Sequence, residues 1–330
     1  MIPYSSPSPA TRVPLIDLTA SRSSDATGRD QAAREIHIAC RTIGFFYVTG
    51  LGFPRDLLER TFAAAQAFFE LPLETKTAID MRRSASRAGY EPIAAQVLDS
   101  QDASAPAAPP DLKESFYCGL ELPDDHPWSQ RQLRGYGHNQ WPAELAELRE
   151  VMVAYYAEMA HLGDHLRQLI ARSLELDDLW FEPYFDPPSA TLCLIKYPPQ
   201  PSSAAVNQIG AGAHTDWGGI TLLVQDGSGG LEVRNLAGDW IEAPPIEGAL
   251  VVNPGDLMAC STNGVCVFNM HRVKNNRSGR DQYSIPFFLS PRPDAVIDAI
   301  PSCLAPSASA RHPPCTAAQH MNEIFLRSYG

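Results

Sequence analysis

Apolar positions along this chain follow two different periods, and the change between them divides the sequence. Within residues 31 to 43, Ala33, Ile36, His37 and Cys40 fall at helical spacing, and the apolar, aromatic stretch from Gly44 to Gly50 that follows reads as a buried strand. Val13 to Leu18 reads as a short strand. Further helices are predicted over Arg55 to Phe69, stopped by the Pro72 region, and over Pro142 to about Leu176. The first twelve residues and Ala20 to Asp30 are rich in Ser, Pro, Thr and Ala and read as loop or frayed terminus. From Thr191 onward short apolar segments alternate with turn residues, marked by Gly227 to Gly230, Pro254-Gly255 and Asn263-Gly264. Asn-Gly is a strong hairpin signal, so this half is expected to be a β-sandwich or barrel. Ser290 to Cys315 is rich in Pro and Ala and precedes a last helix near Ala317 to Arg327. No internal repeat is found.

Residues 98 to 111 form a low-complexity stretch without periodicity, expected to be a surface linker of the kind that can also cover an active site. A chain of 330 residues suits one large barrel with helical additions, organised as a helix-rich region over 1–125 and a barrel core over 126–330. Lys and Arg number 26 against 38 Asp and Glu, a net charge of -12, which argues against nucleic acid or an anionic membrane as partner. No apolar run approaches the roughly 18 residues of a membrane span. The 7 cysteines form no close pair, so neither zinc nor a disulfide framework is expected. The N-terminus has no basic segment followed by an apolar core, and a cytoplasmic location follows as the expectation.

In Ala213-His214-Thr215-Asp216-Trp217, a His and an Asp one residue apart project to the same side of an extended segment. A third ligand can come from His271, on a strand expected to return after an Asn263-Gly264 hairpin. A lone His-x-Asp is common, so context decides its meaning. Two imidazoles and one carboxylate on one face of an octahedral ion leave three positions open, which suits oxygen-activating iron(II).

The context resembles the isopenicillin N synthase-like family of iron(II)/2-oxoglutarate-dependent dioxygenases. The resemblance rests on Val13 to Asp17, Ile43 to Gly50, Lys196 to Pro199, His214 to Leu223, Gln225-Asp226, Gly229 to Val233, Val252 to Asp256, Thr262 to Gly264, His271 to Val273 and Ser284 to Phe288. It implies a mixed α and β fold, a double-stranded β-helix or jelly-roll barrel with helical N-terminal and flanking elements. It also implies Fe(II) bound by His214, Asp216 and His271, with 2-oxoglutarate held by Tyr197, by Ser284 and by the residue at 282. The partners implied are O2 and a small-molecule substrate, and the protein's task is to orient them and exclude water.

Two departures from the family pattern stand out. Members carry Arg-x-Ser where this chain has Gln282-Tyr283-Ser284, and this chain has Cys193 four positions before Tyr197. Three readings stay open: Arg280, on the same nominal strand face, replaces the cation; 2-oxoglutarate is not used, as in an oxidase like isopenicillin N synthase itself; or Ser284 and Tyr197 suffice. Beside the distal histidine, Asn269 shares the nominal face of His271 and is expected to border the metal pocket, with Phe268 and Met270 packed in the core. Further candidates for the pocket wall are Tyr90, Phe116, Cys118, Trp217 and Phe288. Hydroxylation, desaturation, ring closure and an ethylene- or succinate-forming reaction are not separated by sequence, and a metal-binding jelly-roll module without turnover is the non-enzyme alternative. Substrate and oligomeric state are not legible.

Overall fold

The computed structural model describes residues 10–23, 25–98, 108–131, 133, 135–204, 208–304 and 309–329. The first nine residues and most of the 98–111 stretch, both expected to be irregular, lie outside the described residues. Strands β1 (Leu15–Asp17) and β2 (Phe46–Thr49) flank helix α1 (Ala26–Thr42), and α2 (Arg55–Glu70) and α3 (Leu73–Ala78) follow. Next come β3 (Gly89–Glu91), β4 (Glu114–Gly119), α4 (Pro127–Gln130) and the long α5 (Ala146–Ser173). The second half supplies β5 (Ser189–Tyr197), β6 (Ala211–His214), β7 (Ile220–Gln225), β8 (Leu231–Arg234), β9 (Trp240–Glu242) and β10 (Leu250–Pro254). After α6 (Asp256–Ser261) come β11 (His271–Val273), β12 (Gln282–Ser290), β13 (Val296–Ile297), β14 (Cys315–Thr316) and α7 (Ala317–Tyr329).

Eight strands form one sheet in the order β1-β2-β10-β7-β12-β5-β4-β3, and a smaller sheet runs β6-β11-β8-β9. Alternation along the large sheet serves two cores. Leu192 and Leu194 of β5, Leu222 and Val224 of β7, and Ile285, Phe287 and Leu289 of β12 face the helices. Cys193, Ile195 and Tyr197 of β5 turn the other way, together with Leu231 and Val233 of the small sheet. This two-sheet architecture is the expected jelly roll.

Helix α5 seals the first core. Its buried positions Leu148, Met152, Tyr155, Met159, Leu162, Leu166 and Leu169 repeat at alternating four- and three-residue intervals, one continuous stripe on a helical surface. Burying a leucine of this kind stabilises by about 1.5–3 kcal/mol. The helix lies close to the sheet: a β-carbon on Gly163 would stand 2.6 Å from Leu289 Cδ2 and would displace that methyl group.

Several sequence expectations need correcting. Helix α1 begins at Ala26 rather than near residue 31, because Asp25 accepts a hydrogen bond from the Thr27 amide at 3.0 Å and caps it. Helix α5 starts at Ala146 instead of Pro142 and ends at Ser173. Its end is marked by Glu175 in the left-handed region, φ 59°, with Leu176 N donating to Ala171 O at 3.0 Å. Asn263-Gly264 is no hairpin. Its φ values of 51° and 80° terminate α6, and the chain from Val265 to Met270 runs as loop into β11.

Candidate active site

His214 closes β6 and His271 opens β11, and the two residues are register partners between these antiparallel strands. Asp216 follows just beyond the end of β6, so it reaches the same point from the turn into β7. The side-chain ligand atoms of the three all lie within 4.8 Å of one another. His214 Nδ1 meets the Gly212 carbonyl at 2.7 Å, which places the proton on Nδ1 and leaves Nε2 as a lone pair. His271 Nδ1 is buried without a hydrogen-bond partner, and its Nε2 is 3.8 Å from Asp216 Oδ1, too far for a hydrogen bond. The Phe45 ring meets His271 edge-on at 5.4 Å and helps fix the imidazole.

The protonation states suit a metal. Burial, reinforced by His271, pushes His214 down to about 4 against the pull of Asp216. Burial likewise lowers His271. For Asp216 burial works upward, yet the two histidines and hydrogen bonds from Asn253 and Thr221 outweigh it and hold the carboxyl below its ordinary range. At neutral pH the set is two neutral imidazoles and a carboxylate, the forms that bind a cation. Such a donor set, with ligand atoms within 4.8 Å of one another and His271 Nε2 facing Asp216 Oδ1 across 3.8 Å, fits iron(II).

The corner from β10 into α6 braces this cluster. Asn253 Nδ2 donates to Asp216 Oδ2 at 2.7 Å, and the Asp256 amide donates to the Asp216 carbonyl at 2.8 Å. A β-carbon on Gly255 would stand 2.4 Å from Gly218 O and 2.8 Å from Asp216 O. The segment from Val252 to Asp256, quoted above only as a family motif, thus has a physical role: an amide that orients a carboxylate and a glycine that admits the backbone bearing it.

The cluster lies on the wall of a cavity of about 620 Å³. Tyr197, Trp217, Gln282, Ser284 and Phe288 line it, as alternation along β12 anticipates. Ser284 also acts on the Tyr197 hydroxyl, lowering it against the upward effect of burial. Gln282 Nε2 donates to the Gly229 carbonyl at 2.6 Å. Arg280, expected on the same face, is instead exposed in the loop before β12 and is not part of the cavity wall.

Other candidates are placed elsewhere. Tyr90, Phe116 and Cys118 point into the core beneath the helices, and Tyr117 takes the cavity side of β4. Cys193 is fully buried behind the wall, against Tyr117 and Ser115. Asn269 does not border the metal cluster: its Nδ2 donates to the Ile43 carbonyl at 2.8 Å, because the loop before β11 does not keep strand alternation. For the same reason Phe268 is 45% exposed rather than packed in the core, and Met270 is only half-buried. Sequence reasoning missed Lys113, which lines the cavity, and Met321, Asn322 and Phe325, through which α7 closes one side of it. The i, i+4 pair Met321 and Phe325 was the available signal for α7.

Residues 13–144 match the family described as the N-terminal region of non-haem dioxygenase in morphine synthesis, and residues 188–291 match the 2OG-Fe(II) oxygenase superfamily. A 2-oxoglutarate-Fe(II) type oxidoreductase, hxnY of Emericella nidulans, is 37% identical over 97% of this chain and 91% of its own. The chain belongs to the 2-oxoglutarate-Fe(II) oxygenase superfamily. Among solved structures it resembles a full-length Neurospora crassa protein crystallised in complex with alpha-KG and thymine, with TM-score 0.82 and 29% identity over 95% of this chain and 96% of that one. It also resembles JOX2 in complex with 2OG, Fe and JA, with TM-score 0.77 and 27% identity, covering 100% of this chain and 89% of that one. The protein is an iron-dependent oxidoreductase of this superfamily, and Fe(II), 2-oxoglutarate, O2 and a small-molecule substrate are its reaction partners. The turnover-free alternative is thereby set aside. Among the described residues no helix is long and apolar enough to cross a membrane.

Proposed function

We propose that His214, Asp216 and His271 hold the iron(II), that Tyr197 and Ser284 bind 2-oxoglutarate, and that the cavity receives a small, largely apolar molecule oxidised at a C–H bond. The observation that carries this reading is the convergence of the three ligand atoms within 4.8 Å on the wall of the same cavity that Tyr197 and Ser284 line. Iron(II) with 2-oxoglutarate and O2 supplies an oxidant strong enough to break such a bond, the oxoacid leaving as succinate and CO2. The chain's own residues do the rest. Gly212 fixes the tautomer of His214, Asn253 orients Asp216, and Phe45 packs against His271. Trp217, Phe288, Met321 and Phe325 give the cavity an apolar wall that excludes water from the reacting atoms.

The test is oxygen consumption and succinate formation by the iron-loaded protein, with and without 2-oxoglutarate. Both are expected to require iron and the oxoacid, and alanine at His214, Asp216 or His271 should abolish both while weakening iron binding. Oxygen uptake that ignores 2-oxoglutarate, or alanine variants that retain iron and turnover, would overturn the proposal.

A further inference from the structure

2-Oxoglutarate carries a carboxylate at each end. The end chelated by iron is provided for, but the distal carboxylate must enter a buried wall where Gln282 offers only a neutral amide already committed to Gly229. An unpaired buried carboxylate is costly, so a cation is needed nearby. Among the described residues, two cationic side chains line the cavity, Arg87 and Lys113. Arg87 lies over the Phe325 ring of α7, 5.5 Å from its centroid. Lys113 is differently placed.

Strand register gives its position. Gln282 pairs with Tyr197 across β12 and β5, and Glu114 pairs with Lys196 across β5 and β4. Extending the second register by one residue sets Lys113 beside Tyr197. Lys113, Tyr197 and Gln282 thus form a row across three neighbouring strands, on the face that lines the cavity. Strands lie about 4.8 Å apart, so Lys113 and Gln282 are two spacings apart with Tyr197 between them, within the reach of a lysine side chain toward a group seated on Tyr197 and Ser284. The electrostatics agree: the Lys113 charge pulls the Tyr197 hydroxyl down against the upward effect of burial.

The ammonium is held ready. Its Nζ donates to Gln96 Oε1 at 2.5 Å and stands 3.6 Å from Glu91 Oε2. Burial opposes the charge, yet Glu91 and Asp111 more than offset it and raise the lysine above its ordinary value. Lys113 and Gln96 line the cavity and neither Glu91 nor Asp111 does, so of this buried group it is the cationic residue that borders the space a ligand would fill. We infer that Lys113 supplies the positive partner for the distal carboxylate of 2-oxoglutarate, in place of the arginine that Gln282 replaces, and so sets selectivity for a dicarboxylic oxoacid. The inference rests on the co-substrate site proposed for Tyr197 and Ser284.

The experiment measures binding, not turnover. The full chain loaded with Mn(II) is titrated anaerobically by calorimetry with 2-oxoglutarate and with 2-oxopentanoate, which keeps the chelating end and lacks the distal carboxylate. The parent is expected to prefer 2-oxoglutarate by about tenfold or more, the scale of a charge-assisted contact. Lys113→Met should erase that preference while 2-oxopentanoate affinity stays within about threefold, and Lys113→Arg should retain it. Adding Gln282→Arg to Lys113→Met should restore it. A preference unchanged in Lys113→Met overturns the inference, as does a parent that binds both acids equally. The latter leaves the Tyr197 and Ser284 site standing, whereas a parent that binds neither acid sinks both. Should Lys113→Met fail to fold because the buried Glu91 loses a compensating charge, Gln282→Arg alone decides: a gain below about threefold means the cation is already supplied, and a larger gain means it is not.

Discussion

Asn253 offers the sharpest test of how the metal cluster is held together. The residue is 4% exposed and its side chain donates to Asp216 Oδ2 at 2.7 Å, while Asp216 Oδ1 is the oxygen nearer His271. Asn253→Leu keeps the volume and removes the donor. A hydrogen bond to a charged group contributes about 1.5–3 kcal/mol, and groups that orient a metal ligand typically govern about 10–100-fold in affinity. The Asp256 amide still holds the Asp216 backbone carbonyl at 2.8 Å, so the residue keeps one restraint and the loss should lie near the lower end, about tenfold, or about 1.4 kcal/mol. Asn253→Asp should be worse, because it sets two carboxylates in contact and one of them must take up a proton or move away. Competition with a chelating dye for Mn(II) gives the affinities, and circular dichroism shows that the variants fold. Mn(II) affinity within about threefold of the parent in both folded variants would refute the reasoning, since the carboxylate would then be oriented without the amide.

Two further predictions follow from the same structure. Gly255→Ala, whose β-carbon would stand 2.4 Å from the Gly218 carbonyl oxygen, should destabilise the fold by about 1–3 kcal/mol in thermal denaturation, whereas Gly227→Ala, with nothing within 4 Å, should leave the melting temperature unchanged; equal melting curves would count against the close approach at residue 255. His165, pushed by burial and then by Arg22 and Arg29 down to about 4 from an ordinary 6.5, contacts Ser21 Oγ at 2.8 Å, so the unfolded chain takes up the proton first and stability should fall as pH drops from 6.5 toward 4; because His214 and His271 are lowered too, His165→Gln should make the fall in denaturant-measured stability shallower without removing it, and parallel curves would contradict it.

How much of this was legible in the sequence depended on whether a pattern specified one structure or several. The stripe of α5 specifies one, since four- and three-residue steps over seven positions fit only a helix with one buried face. Asn263-Gly264 does not. What that dipeptide encodes is two successive left-handed residues, and the same pair of conformations closes a hairpin or ends a helix. Only the preceding residues, Asp256 to Ser261, distinguish the two, and their helix is too short to show a period. The missing start of α1 has a similar cause: Asp25 is a legitimate cap, but it sits among serines and threonines that also read as loop.

The candidate site shows the same limit at the level of single side chains. In β12, Gln282 and Ser284 alternate with Tyr283 and Ile285, so the polar face announces itself and the cavity-lining residues can be read directly. In β4 the first five residues are all buried, because helices cover one face and the cavity wall the other. With apolar or aromatic side chains on both sides of Phe116-Tyr117-Cys118, parity carries no label, and a choice of Phe116 over Tyr117 lands on the wrong face. Charge is no better a label: Lys113, just before β4, shares the cavity face with Ser115 and Tyr117, while Glu114 is as deeply buried on the opposite face, where Lys76 and Lys196 pair with it at 2.8 and 2.6 Å.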